Sequence, residues 1–210
     1  MVVALVASAR AALGAAGVAI GEVAAAGLSA PGPLDHHAGV ILTTQNIAGF
    51  ADANFPLAAR LAATLGGPPV FLDRDTVMAA IGEGTSGAAK GTGDFVYITV
   101  STGVGCAIVS GGRMVRGTTN TAGELGHFPV GMDRDMRCRC GSFGCVEAYA
   151  AGRNLAEAYG VTDAGIVYAE AAAGDVRAAA LIARAEAALE NLAVGIVNAV
   201  NPELIVVCLL

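Results

Sequence analysis

Tryptophan is absent from this chain of 210 residues, and aromatic side chains of all kinds make up only 5%. A core built from it must be aliphatic, with helices and turns drawn close by its many alanines and 29 glycines. Charge is also scarce. Charged residues are 14% against 55% hydrophobic, which excludes an intrinsically disordered chain. Long apolar runs are missing despite a mean hydropathy of +0.62. A membrane-spanning helix needs about 18 or more uninterrupted apolar residues, and the most apolar helical stretch, Leu181 to Val200, is broken by Arg184, Glu186, Glu190, Asn191 and Asn198. Met1 to Ile20 has no basic leader before its apolar part and is interrupted by Arg10, so a signal peptide is not expected. Basic clusters are lacking too: the 12 Lys and Arg are scattered through a chain of net charge −6, which argues against a nucleic-acid surface. The expectation is a soluble, cytoplasmic protein with no membrane or nucleic-acid contacts of its own.

What is present reads as an α/β chain. Helical spacing predicts a helix over Val3 to Leu13, a second over Leu57 to Leu65 closed by Gly66-Gly67, and a third from about Thr76 to Glu83. Strands are expected at Val23 to Leu28, ended by the Pro31-Gly32-Pro33 turn, and at Val70 to Leu72, running into an Asp73-Arg74-Asp75 turn. The glycines of Gly84 to Gly93 mark a candidate boundary between an N-terminal lobe, residues 1–85, and a C-terminal lobe, residues 86–210. Three strands follow, Phe95 to Val100, Gly105 to Ser110 and Arg113 to Arg116, with Gly111-Gly112 as a hairpin signal between the last two. Gly117 to Cys145 is rich in Gly, Cys and Asp and lacks periodicity; a loop that long inside a compact chain is usually functional. From Val146 onward the pattern is helical. The last helix repeats Leu181, Ala185, Leu189, Leu192 and Ile196 on one face, stops at Asn201-Pro202, and a strand begins at Leu204.

Three of the five cysteines fall within eight residues. Cys138, Cys140 and Cys145, with His127 upstream, make a Cys-x-Cys-x4-Cys group plus one imidazole. Thiolates and imidazole suit zinc, and four such ligands saturate its tetrahedral shell, so the expected role is structural. Such a Zn2+ would hold a loop that has little apolar material of its own. Cys106 and Cys208 have no such company and read as core residues; His36 and His37, beside a turn, read as solvated loop residues.

The stretch GELGHFPVG followed by CRCGSFGCVE resembles the signature of the ROK family (repressor, open reading frame, kinase): Glu-x-Gly-His, then Cys-x-Cys-Gly-x-x-Gly-Cys-x-Glu, with every fixed position met. The resemblance runs from the Pro-Gly-Pro turn to Asn201-Pro202-Glu203 and implies an actin-like, ribonuclease H-like α/β fold whose two lobes close on a sugar and ATP. It implies that Asp75 is the catalytic general base on the sugar hydroxyl, and that Glu124, His127 and Glu147 contact the sugar. His127 would serve twice, with one ring nitrogen on zinc and the other facing the sugar. Ser101-Thr102-Gly103-Val104-Gly105 resembles the family's second phosphate loop, in which Thr102, Gly103 and Gly105 bring backbone N–H groups to phosphate oxygens; by itself the same stretch also fits a plain hairpin turn. The implied activity is ATP-dependent phosphorylation of a glucose-like hexose with Mg2+ on the phosphates, and the alternative is the sugar-sensing domain of a ROK-family repressor. A homodimer is expected.

The sequence departs from the family pattern at four places. No Asp-x-Gly-Gly-Thr-Lys strand opens it, and Val207 leads to Cys208-Leu209-Leu210 where the family has adenosine-cradling glycines. Both differences suggest a fold truncated at its two ends. Arg74 stands where the family has a sugar-binding Asn, and Ser101, Cys106 and Ala107 replace common glycines.

Overall fold

The computed structural model describes residues 1–42, 54–130 and 136–209. They divide into two compact units. Residues Met1–Met78 and Thr118–Thr121 form the first, and Ala79–Gly117 and Ala122–Leu210 the second. The class expected from the sequence, α/β, is what both units show.

In the first unit, α1 (Val2–Ala16) outruns its expected end at Leu13 and closes on Gly17, whose φ of 66° is the left-handed cap that glycine takes without strain. The strand expected from Val23 starts later. Residues Ile20–Glu22 make a 3-10 turn held by the Glu22 carboxylate on the Ala19 N–H at 2.8 Å, so β1 spans Ala26–Ala30. A small antiparallel pair, β2 (Leu34–Asp35) and β3 (Val40–Ile41), follows, too short to leave a periodic signal. Helix α2 (Leu57–Leu65) buries Leu57, Ala58, Leu61 and Leu65. Strand β4 (Val70–Arg74) pairs in parallel with β1, setting Ala30 opposite Arg74. The Asp-Arg-Asp segment is therefore not a turn: Asp73 and Arg74 end β4, and Asp75 opens α3 (Asp75–Ser86) directly. The division between the units falls within α3, after Met78. Asn120, buried and at φ 60°, donates its side-chain amide to the Leu34 carbonyl at 3.2 Å and so ties Thr118–Thr121 to the first unit.

The second unit is built on a four-stranded sheet in the order β7-β6-β5-β8, with β5 (Phe95–Val100), β6 (Val104–Ser110), β7 (Arg113–Met114) and β8 (Leu204–Leu209). β5–β6 and β6–β7 are antiparallel and β5–β8 is parallel. The β6–β7 turn has positive φ at both Gly111 and Gly112, as a tight two-residue hairpin requires. Asp94 Oδ1 secures it, accepting from Ser110 Oγ at 2.7 Å and the Gly111 N–H at 2.9 Å, and these two bonds hold its carboxyl below the usual range. β7 stops at Met114, short of the expected Arg116, because the Arg116 carbonyl turns away to accept from the Ala122 N–H.

Four helices follow: α4 (Val146–Ala150), α5 (Gly152–Tyr159), α6 (Ala164–Ala172) and α7 (Val176–Val200). α7 starts five residues before the expected Leu181 because Asp175 caps it, accepting from the Ala178 N–H at 2.7 Å. It ends on Asn201 in the left-handed conformation, just before Pro202. Its buried face is Ala178, Ala185, Ala188, Leu192 and Ile196, small enough for α4 and α6 to approach closely. Its outer face leaves Val194 and Val197 exposed. The core thus joins β5 and β6 to α4 and α7 through Val96, Ile98, Cys106, Val146, Tyr149 and Leu192. Among the described residues, no helix is long and apolar enough to cross a membrane.

The two faces of α7 give a direct test. Leu192→Ala, at a side chain 1% exposed, is expected to cost about 3 kcal/mol in urea unfolding. Val194→Ala, two residues on but 60% exposed, is expected to cost less than about 0.5 kcal/mol.

Candidate functional site

The Glu-x-Gly-His segment is seated on β6. Residues Leu125–His127 form one 3-10 turn, in which positions three apart fall on the same side. Glu124, just before the turn, and His127, at its end, are both exposed. Gly126 makes the seat possible: a Cβ there would overlap the Val104 carbonyl oxygen. Gly123, at φ 87°, also lies close to the backbone of Cys106 and Ala107, where a Cβ would stand 3.3 Å from the nearest atoms. Cys106 is more than filler. Its sulfur accepts the N–H groups of Gly126 and Leu125, while burial and then the charge of Glu124 push its thiol up to about 12.

The cysteine loop is a tight backbone knuckle. The Cys138 N–H donates to the Ser142 carbonyl at 2.8 Å, the Gly141 N–H to Cys138 at 3.0 Å, and the Gly144 N–H to Met136 at 3.0 Å. Gly141 and Gly144 supply the positive φ angles, 94° and 73°. The chain then runs beside the segment after His127, with the Val146 N–H on the Phe128 carbonyl at 3.1 Å and the Val130 N–H on Gly144 at 3.1 Å. His127, Cys138, Cys140 and Cys145 consequently offer four ligand atoms within 4.8 Å of one another. Cys140 Sγ lies 3.7 Å from Cys145 Sγ, and Cys138 Sγ lies 3.6 Å from His127 Nδ1. A tetrahedron with metal–sulfur bonds of about 2.3 Å has edges of about 3.7 Å. The donor set and its spacing therefore fit a four-coordinate metal, with Nδ1 as the imidazole donor. Burial raises the Cys138 thiol; burial and then its contact with Cys140 push Cys145 up to about 12. At Cys140 the effect of burial is outweighed by the Ser142 N–H and the sulfurs of Cys138 and Cys145, which lower it.

Glu147 stands between this cluster and the hairpin that begins β6. It is in the first turn of α4, whose N-cap is Cys145. Its Oε2 accepts the Val104 N–H at 3.1 Å, and its Oε1 lies 4.0 Å from Cys138 Sγ. In the hairpin, the Ser101 N–H donates to the Gly103 carbonyl, and the Ser101 carbonyl accepts from Gly152, the first residue of α5, both at 2.8 Å. The N–H groups of Thr102 and Gly103 take no partner among the described residues. Thr102 is exposed, Gly103 is half-buried, and Gly105 lies within β6.

The two remaining candidates belong to the first unit. Arg74 is buried, at 3% exposure, with its aliphatic stem against Gly32 in the Pro-Gly-Pro turn. Asp75, one residue later, is exposed, and its Oδ1 accepts the Thr76 N–H at 2.8 Å. The strand-to-helix junction sends the two side chains into different surroundings. Sequence reasoning read Cys106 only as a core residue and did not single out Gly126, whose one signal was the glycine inside Glu-x-Gly-His.

Comparison with known proteins bears on the family and the fold. The ROK family profile matches residues 3–208. A glucokinase of Halalkalibacterium halodurans is 33% identical over 200 residues, covering 86% of this chain and 59% of the relative. The chain thus spans about three fifths of that relative's length. The crystal structure of the ROK hexokinase from Thermus thermophilus superposes with a TM-score of 0.81 at 36% identity, over 99% of this chain and 68% of that one. A ROK family glucokinase from Streptomyces griseus, solved in complex with glucose and AMPPNP, gives a TM-score of 0.76 at 26% identity, over 98% of this chain and 71% of that one.

The seat of the Glu-x-Gly-His turn can be tested alone. Gly126→Ala must displace either β6 or the turn, and is expected to destabilise the protein by about 2 kcal/mol in chemical denaturation. An unchanged midpoint would show that the turn is not held against Val104.

Proposed function

The chain belongs to the ROK family of the actin-like, ribonuclease H-like fold, and on that premise we propose that it carries the hexose and phosphate recognition of an ATP-dependent sugar kinase. One observation carries this reading. Glu147 lies 4.0 Å from Cys138 in the Cys/His cluster that includes His127, Glu124 opens the 3-10 turn that ends at His127, and the unpartnered N–H groups of Thr102 and Gly103 lie on the hairpin that Glu147 holds. Carboxylates and imidazole sort the hydroxyls of a neutral polyol by accepting and donating hydrogen bonds. Paired backbone N–H groups in a glycine turn suit a phosphate oxygen.

In this reading Glu124, His127 and Glu147 bind the sugar, with Arg74 in the position of the family's sugar-binding Asn. A guanidinium there can only donate. Thr102, Gly103 and Gly105 receive phosphate oxygens of ATP, whose charge Mg2+ offsets. Asp75, exposed at the start of α3, serves as general base on the acceptor hydroxyl. His127, Cys138, Cys140 and Cys145 hold zinc in a closed shell. That metal supplies no reactive water; it fixes His127 and the loop around it.

The repressor reading, a sugar sensor without chemistry, needs the same sugar ligands but no base. Retention of an exposed carboxylate at Asp75 favours the kinase. Titration with glucose and N-acetylmannosamine is expected to give saturable binding that weakens on the order of 10–100-fold in Glu124→Ala, the loss of about 1.5–3 kcal/mol of hydrogen bonding from a charged group. Asp75→Asn should leave that binding within about threefold while abolishing ATP-dependent phosphorylation. Sugar binding with no phosphorylation by the parent would support the sensor instead.

The metal has its own prediction. Purified protein should hold close to one zinc per chain, and Cys140→Ser should lose it. Because Cys138 and Cys145 hold their protons more tightly than free thiols, zinc must displace them. Apparent affinity, measured against a competing chelator, should therefore fall as pH is lowered from 8 to 6, by about tenfold per pH unit for each proton released.

A further inference from the structure

Glu147 is fixed from two directions. Its backbone is set by Cys145, a fully buried member of the Cys/His cluster and the N-cap of the helix whose first turn Glu147 occupies. Its carboxylate is set by the hairpin, through the Val104 N–H on Oε2 and through Gly103, where a Cβ would stand only 2.8 Å from that oxygen. The next helix, α5, takes hold two residues before Gly103, through the Gly152 N–H on the Ser101 carbonyl at 2.8 Å. Two consecutive helices thus grip the hairpin at Ser101 and Val104, on either side of the Thr102 and Gly103 N–H groups. A sugar-binding carboxylate would need neither the bond to Val104 nor the close approach to Gly103.

We propose that Glu147 is a positioning residue that couples metal binding at the Cys/His cluster to the shape of the Ser101–Gly105 hairpin. Metal on Cys145 pins the first turn of α4, the turn aims the carboxylate, and the carboxylate holds the amide at the end of the hairpin. The inference rests on reading the cluster as a metal site and the hairpin as a phosphate loop, and adds that the first controls the second. Coupling between two sites is reciprocal. Metal must therefore stiffen the hairpin, and a change in the hairpin must alter metal affinity although it touches no ligand.

The test compares zinc-loaded protein with protein stripped by a chelator, reading backbone amide exchange by NMR. The Val104 amide is expected to exchange about tenfold more slowly with zinc bound, within the usual range of coupling between sites. The Gly111 amide, bonded to Asp94 at the other end of β6, should not change. Glu147→Ala should abolish the zinc dependence at Val104, while Glu147→Gln, whose side-chain carbonyl still accepts from that N–H, should keep most of it. Gly103→Ala should lower zinc affinity by about tenfold.

Equal slowing at Val104 and Gly111 would mean that zinc only stabilises the unit as a whole, and would overturn the proposal. So would a zinc-loaded parent in which Val104 exchanges as fast as in the stripped protein. That comparison needs no variant, so it decides the matter even if a substitution prevents folding. If the parent binds no zinc at all, the metal reading fails and takes this inference with it; zinc binding without an effect at Val104 defeats the inference alone.

Discussion

Cys145 occupies two places at once. It is a corner of the four-ligand cluster, and it is the residue from which α4 begins. The segment before it, from Ala122 onward, brings few side chains to the core of the second unit: among its described residues, Val130 and Cys138 are in the core, and Leu125 and Met136 pack partly against it. The sheet and helices on either side have aliphatic faces; this segment has glycines, cysteines and polar groups. Its shape depends on backbone hydrogen bonds and on the convergence of four ligand side chains. A loop lined with polar groups cannot be stabilised by apolar burial without losing the groups that make it useful. Metal coordination offers another source of rigidity, because each bond is directional and needs only one short side chain.

The glycines around the cluster follow from the same constraint. Gly126 lets the turn lie on the Val104 carbonyl, Gly123 lets the chain approach Cys106, and Gly103 leaves room for the Glu147 carboxylate. None of the three is a flexible spacer. Each removes a methyl-sized group at a point where backbone or a charged side chain comes within van der Waals distance. The polar residues of the site are thereby packed edge to edge on β6, with Val104 touched on its carbonyl side by Gly126 and on its N–H side by Glu147.

Different parts of this arrangement were legible in the sequence for different reasons. Cys-x-Cys-x4-Cys with a nearby His was readable because ligand chemistry demands those residue types, so the chemistry shows through without knowledge of the fold. The long helix α7 was readable because its buried face repeats over many turns; only its start was missed, since the Asp175 cap lies six residues before Leu181, where the repeating apolar face begins. The strand pair Leu34–Asp35 and Val40–Ile41 was not readable, because two residues cannot show a period. Asp73-Arg74-Asp75 has the composition of a turn, yet the parallel pairing of β4 with β1 draws its first two residues into the sheet. That is tertiary pairing overriding local propensity. The attachment of Thr118–Thr121 to the first unit includes a hydrogen bond from the Asn120 side-chain amide to the Leu34 carbonyl, across 86 positions of sequence. A local reading has no means of finding it.

The site residues divide along the same line. Those whose chemistry is distinctive, the cysteines and His127, could be named from type and spacing; Glu124 and Glu147 could be named only through the resemblance to the ROK signature. Those that place them, Gly126, Val104 and Cys106, are ordinary residues whose importance appears only once β6 and α4 are side by side, as does the room that Gly103 leaves for the Glu147 carboxylate. Glu147 belongs to both groups. As a carboxylate it can receive a hydroxyl; as the acceptor of the Val104 N–H it is part of the scaffold. A residue that serves both purposes cannot be moved to suit one without disturbing the other. Its position must therefore be set by something stiffer than a surface side chain's own rotamer preference. The buried start of α4 at Cys145 provides that stiffness, two residues before the carboxylate that depends on it.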